Sequence, residues 1–427
     1  MRRNLFNRVV VTGIGVVSPV GIGVDFFWKS VLKGFSGINK VKQFGTGSLP
    51  CKVAASVDNF KCERFTDGKS CRRFDRYIQL AVAASKLALF DAKLKVDNYN
   101  PYNIGVIVAS GVGGIGTVEK QMVNLKTKGS RYVSPQLIPS FITNMASGVI
   151  GIDLKVKGVN FSITSACASS THAIGEAFNK IKYGEVDMVF AGGSEASITE
   201  LGFAGFCSMK AMASKFNENP TTASRPFNIN RGGFVMGEGS VILVLENLKG
   251  ALKRNAGVYC EILEYKANCD SFHITTPDPS YESLKVCYKE SIKKCGSSIL
   301  NIDYINLHGT STSYNDSTES GCLRSLISSE SPIPKKFNFF TQPTFNSTKA
   351  MTGHLLGSAG ALETAVCVLS TLNNIIPPTI NYCLPDEKCN LFYNPNRLTV
   401  RAVNKSLNVN LGFGGHNSIL VFKKFVH

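Results

Sequence analysis

The chain has 427 residues, 44% of them hydrophobic and 18% charged, and carries a formal net charge of +17. That is enough apolar material for two domains with real cores and too little charge for a disordered chain. The 13 cysteines are scattered, no CxxC pair occurs and no apolar run is long enough to span a membrane; a zinc site, a disulfide framework and a membrane anchor are therefore not expected, and a reducing compartment fits.

Met1-Arg2-Arg3 leads almost directly into a strand at Val9-Val10-Val11, with no signal-peptide pattern between. Arg8 to Pro19 reads as a strand, a glycine turn and a second apolar piece; Trp28 to Leu32 reads as a short helix. Lys69, Arg72 and Arg73 open a helix whose apolar face is Ile78, Ala81, Val82, Ala84, Leu87 and Leu89. Ile104 to Ala109 is a buried strand running into Ser110-Gly111-Val112-Gly113-Gly114-Ile115-Gly116. That loop matches no complete dinucleotide fingerprint and no P-loop, so its glycines signal a close backbone approach.

Val159 to Ile163 reads as a buried strand leading into Thr164-Ser165-Ala166-Cys167-Ala168-Ser169-Ser170. Ala173, Ile174, Ala177, Phe178 and Ile181 then recur at helical spacing, with Gly184 as a stop. Cys167 is thereby placed on a sharp strand-to-helix turn, the logic of a nucleophile elbow with sulfur in place of oxygen. Free helix N–H groups and the positive dipole end favour a thiolate there. Read in isolation, such a cysteine is more often a small buried hydrophobe.

Val186 to Phe190 and Val241 to Leu245 are further buried strands, the first ending in Ala191-Gly192-Gly193-Ser194. A second round starts at Val258 to Tyr265, with a helix at Ser283 to Cys295 and strands at Asp303 to Leu307 and Leu407 to Leu411. The alternation argues a layered α/β architecture in two similar halves, residues 1–255 and 256–427. The polar stretch from Ser328 to Gln342 reads as a surface loop.

Three later motifs carry chemistry: His308-Gly309-Thr310-Ser311-Thr312 after a strand, Lys349-Ala350-Met351-Thr352-Gly353-His354 before a helix holding Glu363, and Gly412-Phe413-Gly414-Gly415-His416-Asn417. One cysteine with two such histidines suggests acyl transfer without a metal, and neither HExxH nor paired HxH spacing occurs. With these motifs in order, the sequence resembles, end to end, the β-ketoacyl-[acyl carrier protein] synthases, most of all the synthase II type, the elongating condensing enzymes of dissociated fatty acid synthesis.

The resemblance implies a thiolase-like fold, two halves stacked as five alternating α/β layers, the first carrying cap and dimer segments, and a homodimer. It implies a decarboxylating condensation of malonyl carrier with an acyl primer held on Cys167. His308 and His354 match the decarboxylation histidines, Lys349 and Glu363 the charged pair behind them, and Phe413 the gating phenylalanine whose N–H joins that of Cys167 in an oxyanion hole. Val112 and Phe206 match acyl-pocket positions; Thr310 and Thr312 match hydroxyls on the pantetheine arm. Lys69, Arg72, Arg73 and Lys210 match basic positions facing an acidic acyl carrier protein.

No cofactor beyond the carrier's own phosphopantetheine is implied. Val112 stands where a bulkier Ile is common, the stretch between His308 and Lys349 is longer than usual, and His416 stands where many bacterial members have Thr and plant-like members His. His416 is therefore not counted as a third catalytic histidine. That histidine and the Lys/Asn-rich composition favour a plastid-type organelle over bacterial cytoplasm or mitochondrion.

Among rivals, a thiolase would place a second cysteine in the last glycine motif, a Cys-His-Asn initiator would carry Asn at the His354 position, and a chain-length factor would lack Cys167. The net charge leaves three sources open: nucleic acid, an acidic protein partner, or composition bias on a freely chosen surface. The basic residues form no tract with interleaved aromatics, which argues against nucleic acid.

Overall fold

The computed structural model describes residues 6–330 and 342–426. Val9–Ser18 (β1) is one buried strand, not the expected strand, turn and second piece. Packing explains the glycines: a Cβ at Gly15 would lie 1.8 Å from the Ala84 carbonyl oxygen, so a helix rests directly on the strand. The expected helix after Lys69 is two. Gly68–Arg73 (α1) is capped by the Asp67 side chain and ends at Phe74, whose backbone is extended; Arg76–Asp91 (α2) restarts with Asp75 as its own cap. Cys71 is joined to Cys62 in a disulfide with a Cα separation of 5.8 Å, a pairing that the scattered cysteine pattern did not signal.

Ile104–Ala109 (β2) is buried throughout, as expected. Of the expected buried strand at Val159 to Ile163 only Asn160–Phe161 (β3) forms, and it is not buried; it ends the sheet, so one of its edges has no partner within the described residues. Ser169–Lys182 (α3) follows, with Gly184 in the left-handed region just past its end. Met188–Glu195 (β4) continues through its glycines instead of stopping at them. Glu200–Ser208 (α4) and Gly239–Asn247 (β5) complete the first half.

The second half runs Cys260–Cys269 (β6), Glu282–Lys294 (α5), Tyr304–Asn306 (β7), Ser313–Glu330 (α6), Thr344–Asn346 (β8), Ala359–Asn373 (α7), Lys405–Gly412 (β9) and His416–Lys424 (β10). The loop expected from Ser328 starts inside α6, and residues 331–341 lie outside the described residues.

The strand path is β8-β7-β9-β10-β6-β1-β5-β4-β2-β3. Each half therefore orders its strands third, second, fourth, fifth, first. The third, second and fourth are parallel, and the fourth, fifth and first antiparallel, in both halves. The two first strands pair antiparallel where Val9 to Val11 meet Cys260 to Ile262, joining the halves.

Helix α2 covers β1 and β5, α5 covers β6 and β10, and α3 and α7 pack on each other between the halves. Every residue of α7 from Ala359 to Thr371 is buried, as a helix enclosed on all sides must be. These are the five α/β layers of the thiolase-like fold. No helix among the described residues is long and apolar enough to cross a membrane.

Candidate active site

The duplication brings two helix entrances together. Cys167 lies just before α3. Ala166, beside it, has a positive φ of 50°, a conformation that disfavours non-glycine residues by about 1–3 kcal/mol. The turn is held by the Ala168 N–H on the Ser165 carbonyl at 3.1 Å and by the Ser169 hydroxyl on the Ala166 carbonyl at 2.6 Å. The expected elbow is present, with its strain on the residue before the sulfur.

His354 lies shortly before α7, the equivalent helix. Its N–H donates to the Val235 carbonyl at 2.7 Å, and its own carbonyl accepts from Gly237 at 2.9 Å. Gly353 has a φ of +65°, and a Cβ there would meet Ala55 at 2.9 Å, so the entry to His354 requires glycine.

His308 follows β7. Its ring stands edge-on to that of His354, centroids 5.3 Å apart. The backbone N–H groups of His308 and Gly309 donate to Glu319 at 2.7 and 2.9 Å. Lys349 is buried; its ammonium contacts Glu363 directly, donates to the His308 carbonyl at 2.6 Å and lies 3.4 Å from His308 Nδ1.

The ligand atoms of Cys167, His308 and His354 lie within 4.8 Å of one another. They share a cavity of about 570 Å³ with Val112, Phe206, Lys210, Thr310, Thr312 and Phe413. Thr310 and Thr312 share a hydrogen bond at 2.9 Å. Lys69, Arg72 and Arg73 are exposed on α1 and do not line the cavity. The glycine loop is a close-approach loop: the Gly111 and Val112 N–H groups donate to the buried Glu195 carboxylate, which fills the place an external anion would take. His416 packs its ring on His172, 6.1 Å between centroids.

Burial pushes the Cys167 thiol up to about 12, against the pull of Lys349 and of the Phe413 N–H that donates to the sulfur. Removal from water thus raises the thiol, against the thiolate expected at a helix start. Burial, then the Lys349 charge, holds His308 and His354 well below the usual imidazole value, and His354 further lowers His308. The resting set is thus a thiol beside two neutral imidazoles. Ring N–H groups can donate to negative charge that develops in the cavity, and the Phe413 N–H that meets the sulfur can help to steady an oxyanion. A Cys-His-His set also suits a soft metal ion, which sequence spacing could not reveal; the buried Lys349 ammonium opposes a cation there.

Residues 6–251 match the family model for the beta-ketoacyl synthase N-terminal domain, and residues 259–383 that for the C-terminal domain. The chain belongs to the beta-ketoacyl synthase family. It is 40% identical to a 3-oxoacyl-[acyl-carrier-protein] synthase 2 of Synechocystis sp. and 39% identical to one of Coxiella burnetii, each over 98% of both chains. A type II polyketide ketosynthase, solved in complex with its acyl-carrier protein and bound to the hexaketide, superposes with a TM-score of 0.88 at 30% identity, over 98% of this chain and 100% of that one.

Within this beta-ketoacyl synthase, sequence reasoning passed over Glu319, which fixes the His308 backbone, and Asn410, which bridges Glu363 and His308. The four-residue helical spacing from Asn315 to Glu319 was a faint signal for the first. The alternation of Asn408 and Asn410 with apolar residues in β9 was the signal for the second.

Proposed function

We propose that the chain condenses malonyl carrier with an acyl primer bound to Cys167, releasing CO₂ and a 3-oxoacyl-[acyl carrier protein], the elongation step of fatty acid synthesis. The observation that carries this reading is the convergence of one thiol and two neutral imidazoles within 4.8 Å, in the lining of one cavity. The Cys167 sulfur attacks the carrier-bound acyl thioester, the pantetheine C–S bond breaks, and the proton of the thiol leaves with the displaced carrier thiol. The N–H groups of Cys167 and Phe413 steady the oxyanion. Loss of CO₂ from malonyl carrier leaves an enolate, to which the Nε2–H groups of His308 and His354 donate; its carbon attacks the Cys167 thioester, and the C–S bond breaks to expel the Cys167 thiolate and leave the 3-oxoacyl group on the carrier.

Val112 and Phe206 border the acyl tail, and Thr310 and Thr312 hold the pantetheine arm. Lys349 and Glu363 support the histidines, and Phe413 gates the cavity. No group beyond the carrier's phosphopantetheine takes part. Mass spectrometry of products made from acyl carriers of graded length tests the reading; absence of any two-carbon-extended 3-oxoacyl product would overturn it.

The partner is an acidic acyl carrier protein, docked on Lys69, Arg72, Arg73 and Lys210; neither nucleic acid nor a membrane is a partner. The chain acts as a homodimer. The edge of β3 that has no partner among the described residues, and the exposed Ile152 on the helix packed behind it, support that reading, and light scattering coupled to gel filtration tests it. The compartment is a plastid-type organelle, supported by His416 and the Lys/Asn-rich composition and tested by imaging the tagged full-length protein.

A further inference from the structure

Asn410 lies on β9, fully buried, three positions before Phe413. Its Nδ2 donates to Glu363 Oε2 at 2.6 Å and lies 3.3 Å from His308 Nδ1. Its Oδ1 accepts from the Thr171 hydroxyl on α3 at 2.6 Å. These contacts fix the amide's orientation. Glu363 Oε2, the carboxylate oxygen that Lys349 leaves free, is an acceptor, so the nitrogen must face it, and the second N–H is left for His308. Lys349 Nζ, 3.4 Å away, also faces His308 Nδ1. That ring nitrogen therefore meets two donors and no acceptor.

A proton on Nδ1 would oppose both donors in a site from which water is excluded. With Nδ1 bound as a lone pair, the ring proton sits on Nε2. A tautomer is set in this way by the hydrogen bond that the other nitrogen makes.

We propose that Asn410 is a positioning residue of the condensing reaction: with Lys349 it locks His308 as a neutral ring protonated at Nε2, and it ties that ring to α3, α7 and the gate strand. Lys349 alone leaves the lock loose, because its ammonium lies 2.6 Å from the His308 carbonyl but 3.4 Å from Nδ1. The charged and titratable groups around His308 are Lys349, Glu363, Glu319, His354 and Cys167, and Asn410 is the neutral donor among them.

The inference rests on the condensing role above, but its first readout does not. With six histidines in the chain, ¹⁵N-histidine NMR of the full-length protein, assigned with His308→Gln, reads the tautomer directly. Wild type should show His308 protonated at Nε2. In Asn410→Asp, nearly isosteric but presenting oxygen to Nδ1, the proton should move to Nδ1 or the ring should become cationic. Malonyl-carrier decarboxylation should then fall about 100-fold, the scale of one lost transition-state donor, with its acid limb moved to higher pH, while Cys167 acylation falls less than about 3-fold on the same reasoning.

Asn410→Ser withdraws the one donor atom, Nδ2, that meets both Glu363 and His308. It should show the same changes in weaker form, and it decides the matter if Asn410→Asp does not fold. An unchanged tautomer in a folded variant, or equal loss in both half-reactions, would overturn the proposal and leave Asn410 a structural tie for Glu363.

Discussion

At the scale of single residues, the proposed mechanism gives sulfur and imidazole different halves of the reaction. Cys167→Ala should abolish acyl transfer yet keep some malonyl decarboxylation, because only the first step needs the sulfur. His308→Ala or His354→Ala should lower decarboxylation about 10²–10³-fold and still permit Cys167 acylation; radiolabelled acyl transfer beside CO₂ release separates the two. A folded histidine variant that cannot be acylated at all contradicts the division.

The depressed imidazole values also have a thermodynamic sign. Unfolded histidine binds protons below about pH 6.5, whereas buried His308 and His354 resist them. Their contribution to stability is therefore fully present above that pH and is lost as pH falls below it. Melting temperature should drop between pH 7 and pH 5, and the drop should be shallower in a His308→Gln, His354→Gln double variant. An equal slope in both proteins would remove these rings as its source.

At the scale of elements, the loop carrying Val112 and the helix α4 carrying Phe206 form walls of one cavity. Val112→Phe should block long primers and spare short ones, since overpacking costs roughly 1–3 kcal/mol; assays with primers of graded length read this, and an unchanged profile would place the acyl tail elsewhere.

The same elements show what sequence can reveal. β2 was legible to the residue because six consecutive buried positions leave no competing period. β1 was misread because Gly13 and Gly15, turn signals locally, serve a helix far along the chain. The break between α1 and α2 was hidden because Asp67 and Asp75, successive caps, read as ordinary surface residues. Cys167, His308 and His354 were legible through the motifs around them. The pKa of the cysteine was not, since its burial depends on the opposing half of the fold.

At the scale of the whole molecule, the charge of +17 must act at a distance as well as locally. Three cations at a helix start would be unfavourable there, and that cost could have been taken as the sign of a partner. The structure removes that argument: Arg72 and Arg73 lie in the last turn of α1, where the dipole favours them. The case for carrier docking then rests on exposure and field. Lys69, Arg72 and Arg73 are exposed, and Lys210 lines the cavity. Exposed charges of this kind chiefly speed encounter with an acidic partner. Reversing Arg72 and Arg73 to Glu should therefore raise the apparent KM for carrier-bound substrate about 5-fold or more through a slower on-rate. Small pantetheine thioesters, which carry no acidic protein surface, should be turned over almost unchanged. The Debye length shrinks from ~10 Å at 0.1 M salt to ~3 Å at 1 M, so added salt should slow the wild type far more than the double variant. Equal loss on both substrates, or identical salt responses, would place the carrier on another face of the molecule.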